Sequence, residues 1–268
     1  MTFLRWAGSK KQIKETLSHC WHAAQTAGGN GRYIEAFCGS ASLFFHIKPS
    51  SALLVDINAE LMECYEVVRE DPSAVVALLQ QYPVDQEFYY RLRATDELVL
   101  DPVERAARFI YLNRFCFNGL YRTNANGRFN VPYGAGRTGS VPSLEVLREA
   151  SEILSNSELI HCDFELALSG AIKQGDFIYV DPPYAKRNHS LDFQYGPDEF
   201  GVGDLNRLFE LLEMANDAGA FFVLSYADCD DVEEFSEKWG GYTVEVQRSI
   251  AADTSCRERT REVLISNL

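Results

Sequence analysis

A carboxylate, two prolines and an aromatic ring follow an apolar run in the order Asp181-Pro182-Pro183-Tyr184. The run, residues 177–180, has the composition of a buried strand, and open α/β sheets place their chemistry at the carboxyl ends of such strands. Asp181 could accept hydrogen bonds from a planar amino group while Tyr184 stacks on the ring that carries it. The pattern favours methylation of an amino nitrogen on a base. The alternative is a strand that leaves its sheet through a Pro-Pro turn, with Tyr184 in ordinary packing.

An amino group on an aromatic ring is planar because its lone pair is delocalised, so it is a poor nucleophile until hydrogen bonds draw it toward a tetrahedral shape. Asp181 and the carbonyl of Pro182 could accept those two bonds. Pro183 lacks an N–H and would stiffen the turn that points them inward. Holding the nitrogen in line with a methyl donor converts an encounter into a directed displacement. This chemistry requires neither a metal nor a covalent intermediate.

A cofactor site is indicated nearer the start of the chain. An apolar strand at 33–37 leads into a tight turn at 38–42 and then a helix, which is the opening of a Rossmann-like unit. A second strand ends at Asp56, about twenty residues on, where such folds place the acid that holds a ribose. Gly39 and Asp56 therefore suggest an adenosine site. The turn has a single glycine, which favours a nucleoside cofactor without phosphates, such as S-adenosylmethionine, over NAD.

The remaining elements alternate between strand and helix except in the middle of the chain. A first helix is predicted at 9–25, with Ser9 near its N-cap. Further helices are predicted at 61–69, 73–81, 102–113 and 204–218, and further strands at 158–163, 177–181, 221–225, 242–250 and 261–266. The last two strands favour an antiparallel hairpin at the sheet edge. Helical residues 60–113 and a Gly/Asn/Arg-rich segment at 118–139 indicate an inserted domain.

Composition places the chain among globular proteins, since 46% of its residues are hydrophobic and 24% charged. The sequence lacks a signal-peptide pattern, and no apolar run approaches the ~20 residues of a membrane span, so we expect a cytoplasmic protein without a membrane partner. The seven cysteines include no C-x-x-C pair and no metal-ligand spacing. They are expected to be reduced thiols, and no metal site is implied.

The net charge of −14 argues at first against nucleic acid, which is bound largely through its phosphates. The distribution of charge argues the other way, because residues 105–144 contain six arginines and no Asp or Glu. A local basic face could grip DNA on an otherwise acidic protein. The alternative is six solvated arginines on separate helix faces.

Several motifs occur in one order along nearly the whole chain. They are Trp6-Ala7-Gly8-Ser9-Lys10, Phe37-Cys38-Gly39-Ser40-Ala41, Asp56-Ile57-Asn58, Leu112-Asn113-Arg114, Asn118-Gly119-Leu120-Tyr121-Arg122, Phe129-Asn130-Val131-Pro132-Tyr133 and Asp181-Pro182-Pro183-Tyr184. Together they resemble the Dam-type DNA adenine methyltransferases. The resemblance implies an α/β, Rossmann-like methyltransferase sheet formed by 1–59 and 151–268. It also implies a mostly helical target-recognition domain inserted at 60–150.

The resemblance also assigns a cofactor site for S-adenosylmethionine. The matching positions are Trp6, Lys10, Phe37, Gly39, Asp56 and Asp181. Trp6 and Lys10 would contact the adenosine and methionine ends, Asp56 the ribose, and Asp181 the methionine and the target base. Phe37 and Gly39 would line the same pocket.

The chain departs from the family pattern at two positions of this pocket. Ala41 stands where the family often has a second glycine, and Ala36 where it has a proline. The pocket is therefore expected to be tighter or differently shaped.

Duplex DNA is the partner that the resemblance implies, through Arg5, Arg114, Phe117, Asn118, Leu120, Arg122, Arg128 and Arg137. Arg122, supported by Asn118 and Leu120, would read a guanine, since Arg on O6 and N7 is the commonest specific base contact. Arg5 could read an outer base, and the other arginines could hold phosphates or lie on the solvated surface. Phe117 could wedge into the duplex or pack as a core residue.

The expected activity is methyl transfer to the exocyclic N6 amino group of adenine in duplex DNA, within GATC or a GAT-containing site. The base would flip out at a cost of a few kcal/mol and stack on Tyr184. We expect a monomer, encoded by a prokaryote or phage and associated with the nucleoid when bound. The alternatives are a cytosine-N4 or RNA adenine methyltransferase, or a catalytically silent DNA-binding regulator with the same fold.

Overall fold

A computed structural model describes residues 2–6, 10, 13–135, 139–185, 200–247 and 259–268. Within them, residues 2–6 and 58–159 form one compact unit. Residues 10, 13–57, 160–185, 200–247 and 259–268 form a second. None of the helices in these ranges combines the length and apolarity that crossing a bilayer requires.

Seven strands form one sheet in the order β3-β2-β1-β4-β5-β7-β6. Their bounds are β1 Tyr33–Ala36, β2 Ala52–Asp56, β3 Ser157–His161, β4 Phe177–Val180, β5 Phe221–Ala227, β6 Tyr242–Gln247 and β7 Arg259–Ser266. Strand β1 is parallel to β2 and β4, and β4 is parallel to β5. All residues of β1 and β4 are buried, as expected for parallel strands covered on both faces. The predicted α/β, Rossmann-like sheet is confirmed.

The order of the strands reverses between β1 and β4, because the chain moves from β1 outward to β2 and β3 and later returns to β4 on the other side. Such a switch point opens a crevice at the carboxyl ends of the two strands. The register pairs Ala36 with Val180, so the residues that follow, Phe37 and Asp181, leave the sheet side by side. Two separate sequence motifs are brought together in this way.

The predicted hairpin closes one edge of the sheet. Strand β7 is antiparallel to both β5 and β6, and β6 is the edge strand. The last residues of the predicted strand 242–250 lie outside the described residues. The register pairs Glu262 of β7 with Ala227 of β5, which places Glu262 at the end of the sheet where the crevice lies.

Ten α-helices are present in the described part of the chain. They are α1 Lys14–Thr26, α2 Phe44–Ile47, α3 Ala59–Glu70, α4 Pro72–Leu79, α5 Gln86–Ala94, α6 Pro102–Phe115, α7 Leu144–Leu154, α8 Phe164–Leu168, α9 Val202–Asp217 and α10 Glu233–Trp239. The expected N-cap of the first helix is wrong. Helix α1 begins at Lys14 after Ile13, which caps it without a side-chain hydrogen bond, and Ser9 lies outside the described residues.

Helix α6 is the centre of the first unit, since α3, α4 and α5 all pack against it. Its start is fixed by a capping box: Asp101 accepts a hydrogen bond from the backbone N–H of Glu104 at 2.8 Å, and Glu104 accepts one from that of Asp101 at 2.9 Å. Pro102 occupies the first helical position, where its missing N–H has no intrahelical partner to lose.

Two of the six arginines expected to form a basic face pair with acidic residues of this unit. Arg105 pairs with Glu63 at 2.6 Å, and Arg108, only 3% exposed, pairs with Glu97 at 2.7 Å. Residues 105–144 contain no acid of their own, but Glu63 and Glu97 from other elements pair with these arginines. The basic face is therefore smaller than the sequence suggested. Arg108 is therefore not a solvated arginine, whereas Arg105 is partly exposed, with 29% of its side chain accessible.

Candidate active site

Asp181 follows β4 directly and is held by two donors at one of its oxygens. The Lys10 ammonium lies 3.1 Å from Asp181 Oδ1, and the Ser225 hydroxyl donates to the same oxygen at 3.0 Å. The hydroxyls of Ser225 and Tyr179 are 3.2 Å apart. Because a serine has a single hydroxyl proton, Tyr179 must donate to Ser225. Among the described residues, none donates to Asp181 Oδ2.

The charges at this point are close together and poorly hydrated. Burial alone would lower the pKa of Lys10, but Asp181, Tyr184 and Glu262 together raise it above its usual range, so Lys10 is a cation. Burial raises the pKa of Asp181, although Lys10 opposes the rise. One ammonium therefore faces two carboxylates, Asp181 and Glu262.

Glu262 is a residue of this cluster that the sequence did not reveal. Its Oε1 accepts hydrogen bonds from Lys10 at 2.9 Å and from the Tyr184 hydroxyl at 3.1 Å. The available signal was a single acid within the strand prediction 261–266, followed by three apolar residues. Its contact with Lys10 depends on the pairing of β7 with β5, which no local pattern encodes.

The turn after β1 adopts a left-handed backbone at alternate positions, with φ of 60° at Phe37, 47° at Gly39 and 47° at Ala41. Positive φ is uncommon for a residue with a Cβ and concentrates at functional sites. Asp56, at the end of β2, accepts a hydrogen bond from the Gly39 N–H at 2.9 Å. The position of Ala41 is thus one that favours glycine, and the alanine of this chain adopts the left-handed conformation there.

Aromatic rings line the same edge of the sheet. Phe37 lies 5.1 Å from Phe164 and 5.6 Å from Phe200, measured between ring centroids. Phe164 begins α8, immediately after Asp163, which caps that helix and pairs with Arg207 at 2.7 Å. The sequence did not single out Phe164, although it follows the carboxyl end of β3 as Phe37 follows that of β1.

Glu35 is a second buried carboxyl group that was missed. Its Oε2 accepts hydrogen bonds from the Tyr33 hydroxyl at 2.7 Å and from the Phe44 N–H at 3.1 Å. Burial raises the pKa of Glu35 to about 8, and nearby Asp181 and Asp56 add to the rise. The signal was an acid in the middle of an otherwise apolar strand.

Trp6 lies in the first unit, whereas the other residues predicted to bind the cofactor lie in the second. Its ring is stacked on Tyr121, with centroids 5.7 Å apart and planes 15° apart. The Tyr121 hydroxyl donates to Glu60 at 3.1 Å. Burial raises the pKa of Glu60 to about 7, so the ring under Trp6 is tied to a carboxyl group that titrates near neutrality.

Arg122 is oriented by a neighbouring amide. Its Nε donates to Asn130 Oδ1 at 2.7 Å, and the backbone N–H of Asn130 donates to the carbonyl of Arg122 at 3.0 Å. The bridge between Thr123 and Phe129 makes the segment between them a small hairpin. This leaves the terminal nitrogens of the guanidinium as the groups that could read a base.

Arg5 is packed under the turn that precedes Arg122. Asn118 and Gly119 have φ of 55° and 66°, and a Cβ on Gly119 would lie 2.7 Å from the Cβ of Arg5. Asn113 holds the backbone of Arg5 from both sides, accepting from its N–H at 2.8 Å and donating to its carbonyl at 2.6 Å. Arg5 and the turn at Asn118 and Gly119 are thus in close contact within the first unit.

The other predicted DNA contacts differ in exposure. Arg114 is partly buried and donates to the Ser140 carbonyl at 2.7 Å, and burial together with the charge of Arg5 lowers its pKa. Arg128 is exposed and lies 3.8 Å from Asp96. Both Phe117 and Leu120 are partly exposed, unlike the buried Phe115. Arg137 lies outside the described residues.

The residues at the carboxyl ends of the strands fit S-adenosylmethionine. Asp56 offers an acceptor for a ribose hydroxyl, the phenylalanine rings offer faces for a purine, and the excess of carboxylate over ammonium suits a sulfonium cation. Within the described residues, no group of three His, Cys, Asp or Glu side chains is arranged to hold a metal ion.

A Rossmann-like sheet that carries an Asp-Pro-Pro-Tyr turn at its switch point is the arrangement of a methyltransferase. Residues 6–250 match the model of the D12 class of N6 adenine-specific DNA methyltransferases, and the chain belongs to this family. Membership of this family favours adenine in DNA over the alternatives of cytosine N4 and RNA adenine as the methylated group. It also favours an enzyme over a catalytically silent regulator.

Three curated relatives are similar over nearly their whole length. The type II methyltransferase M1.LlaDCHI of Lactococcus lactis subsp. cremoris is 32% identical, with 99% of this chain and 94% of the relative covered. The type II methyltransferase M.MjaIII of Methanocaldococcus jannaschii is 31% identical, with 90% and 89% covered. The DNA adenine methylase of Haemophilus influenzae is 28% identical, with 98% and 92% covered.

Proposed function

We propose that the protein methylates adenine N6 in duplex DNA at a GATC or GAT-containing site, using Asp181, Pro182 and Tyr184 on a base flipped out of the helix. The observation that supports the proposal is the pattern of hydrogen bonds at the two oxygens of Asp181. Two donors hold its Oδ1, while no described residue donates to Oδ2. Oδ2 can therefore accept a hydrogen bond from the target amino group.

Each residue of the catalytic turn has one task. Asp181 and the Pro182 carbonyl accept hydrogen bonds from the two amino N–H groups and draw the nitrogen toward a tetrahedral shape. Pro183 keeps the turn stiff because its ring fixes φ. Tyr184 stacks on the extruded base and compensates for the stacking lost from the duplex. When bound, S-adenosylmethionine supplies the electrophilic methyl group.

Lys10, Phe37, Gly39 and Asp56 bind the methionine and adenosine parts of the cofactor. Trp6 is an adenosine contact on the strength of the family resemblance alone. Phe164 adds a second aromatic face beside Phe37. These assignments rest on the family match and on the donors, acceptors and rings described above.

The first unit recognises DNA. Arg122 donates to a guanine through the terminal nitrogens that Asn130 leaves free, and Arg5 contacts an outer base. Arg114, Arg128 and Arg137 hold phosphates. Phe117, with Asn118 and Leu120 beside it, fills the space that the flipped base leaves. The protein acts as a monomer on this account, which sedimentation of the free enzyme can check.

Transfer of labelled methyl groups from S-adenosylmethionine to duplex DNA tests the proposed chemistry. Asp181→Ala should lower the rate by at least about 10³-fold, because it removes the acceptor for the amino group. DNA affinity should stay measurable, since Lys10 keeps Glu262 as an anionic partner and the fold is preserved. Asp217→Ala, an exposed change on α9, is the matched control. Failure of the unaltered protein to methylate any DNA at low salt would refute the proposal.

Sequencing of modified bases in DNA exposed to the enzyme tests the recognition site. Methylated adenines are expected within GATC or GAT. Arg122→Ala should relax the preference for guanine by about 1–3 kcal/mol while other positions keep theirs. Methylation found solely at sites without GAT would contradict the proposed specificity and leave the chemistry standing.

A further inference from the structure

Glu262 enters the active site from β7 with only 6% of its surface exposed. None of the roles proposed above uses it. Its Oε1 accepts from the Lys10 ammonium at 2.9 Å and from the Tyr184 hydroxyl at 3.1 Å. One oxygen atom thus touches two of the residues that surround the catalytic carboxylate.

Lys10 is shared between Glu262 and Asp181, whose Oδ1 lies 3.1 Å from its nitrogen. An ammonium has three donors and no fixed plane. Without Glu262, it could turn toward both oxygens of Asp181. Because Ser225 donates to the same Oδ1 at 3.0 Å, the present arrangement satisfies one oxygen of Asp181 twice and leaves Oδ2 available.

Two contacts of Tyr184 bear on the orientation of its ring. Its hydroxyl donates to Glu262, and its ring lies edge-on to Tyr226, with centroids 5.3 Å apart and planes 82° apart. The Lys10 nitrogen lies 5.8 Å from the centre of the same ring. The hydrogen bond to Glu262 therefore fixes the tilt of a ring whose face is expected to receive the target base.

The second oxygen of Glu262 indicates that stability alone does not explain this residue. Oε2 is buried and has no hydrogen-bond partner among the described residues. Buried polar atoms are nearly always satisfied, and exceptions concentrate where function imposes a constraint. One ammonium for two carboxylates is likewise an unbalanced arrangement for a structural ion pair.

We propose that Glu262 is a positioning residue for methyl transfer, which fixes the Tyr184 ring and turns Lys10 so that Asp181 Oδ2 stays free for the target amino group. This inference rests on the proposed function. Glu262 acts through Tyr184 and Lys10 and does not itself touch the base. Its loss should therefore slow the chemical step far more than it weakens binding.

Three variants separate the two contacts. Glu262→Ala removes both, Glu262→Gln keeps an acceptor for Tyr184 but removes the charge that faces Lys10, and Tyr184→Phe keeps the ring but removes its hydroxyl. Single-turnover methyl transfer should fall about 100-fold in the first and about tenfold in each of the others. Dissociation constants for S-adenosylmethionine and for DNA should stay within about threefold. Glu237→Gln, an exposed change on α10, is the control.

Two further readouts distinguish positioning from a general structural role. Tyr184→Phe should add little to Glu262→Ala, because the hydrogen bond between the hydroxyl and Glu262 is already lost, so the two effects should not be additive. The thermal midpoint of Glu262→Gln should be no lower than that of the unaltered protein, because the buried cluster loses its surplus charge. A structural residue would instead lower the midpoint and both affinities together.

The outcomes separate this inference from the proposed function. If the unaltered protein transfers methyl groups and both Glu262 variants react within threefold of it, Glu262 has no positioning role and the proposed function stands. If the unaltered protein transfers none, the proposed function itself is wrong. Should Glu262→Ala fail to fold, Glu262→Gln and Tyr184→Phe decide by the same criterion.

Discussion

Glu35 is a carboxyl group in the middle of β1, 4% exposed, whose two hydrogen bonds reach the same oxygen. One partner is the Tyr33 hydroxyl and the other is the N–H of Phe44 at the start of α2, so Glu35 fixes the turn between strand and helix. Burial raises its pKa to about 8 from an ordinary value of 4.5. Below this pKa the group is neutral, and its burial is much less costly.

The pH dependence of stability tests this description of Glu35. The folded protein holds the proton more tightly than the unfolded chain, so its stabilising effect is complete below about pH 4.5 and is lost as pH rises toward 8. The loss is at most about 1.4 kcal/mol per pH unit. Glu35→Gln keeps an acceptor for both donors and cannot ionise. Thermal midpoints of the two proteins from pH 5 to 9 should therefore diverge in favour of the variant.

Glu234→Gln, an exposed change on α10, is the control and should follow the unaltered protein at every pH. Parallel curves for Glu35→Gln and the unaltered protein would show that Glu35 ionises normally.

Helix α6 stabilises the first unit through a buried charge as well as through apolar packing. Arg108 pairs with Glu97 at 2.7 Å and lies 3.6 Å from Glu60, while its guanidinium also donates to the carbonyls of Leu92 and Arg93 at 3.2 Å each. These partners come from α3, from the end of α5 and from the turn before α6. One side chain therefore joins several elements of the unit.

Removing this side chain should unfold the first unit more easily. Arg108→Met removes one donor from each of two carboxylates and two carbonyls, and we expect a loss of about 3–5 kcal/mol in the free energy of unfolding. Arg128→Met, at a side chain 69% exposed, should change it by less than about 0.5 kcal/mol. Denaturant titration of the two variants measures both values. Equal stability of the two would mean that the Arg108 pairs contribute nothing.

The elements differ in how far local sequence predicts them. The apolar runs of β1, β4 and β5 and the alternating pattern of the final hairpin were sufficient for their prediction. Helix α5 was missed because its nine residues include four that are charged or polar, and just two, Tyr89 and Leu92, are buried. Its signal was the N-cap: Asp85 accepts from the Phe88 N–H at 2.7 Å. An N-cap residue can therefore indicate a short helix that the spacing of apolar residues does not reveal.

The same limit applies to the site. Asp181, Lys10 and Asp56 were predicted as site residues because motifs surround them, and the structure brings Lys10 and Asp181 together. Glu262 and Ser225 were missed because their roles depend on which strands pair and in which register. The arginine stretch was overestimated because acidic partners such as Glu63 and Glu97 come from other elements.

Charge is the property of the whole molecule that most affects its encounter with DNA. The net charge is −14, so most of the protein surface repels DNA phosphates, and the contacts to phosphate must be made by a few cationic side chains. Exposed Arg128 of the first unit is one candidate, with a distant partner, Asp96, 3.8 Å away. Affinity for any DNA should fall steeply as salt is raised.

The slope of the logarithm of affinity against the logarithm of salt concentration counts these contacts. Arg128→Gln should reduce the steepness of the slope by about 0.9, the value for one phosphate, and leave the methylated sequences unchanged. Arg148→Gln, an exposed change on α7 outside the predicted contacts, should leave the slope as it is. Fluorescence anisotropy at salt concentrations from about 50 to about 300 mM measures the slopes of both variants. An identical slope for Arg128→Gln would remove this residue from the interface.

The pairing of Lys10 with Glu262 joins residues separated by 252 positions in the chain. A ribosome makes Lys10 early, Asp181 later and Glu262 later still. At about 5–20 residues per second, the stretch from Asp181 to Glu262 takes on the order of ten seconds to synthesise. During that interval the nascent protein has its catalytic turn but lacks the strand that holds Tyr184. The nascent chain is therefore expected to lack methyltransferase activity until β7 joins the sheet.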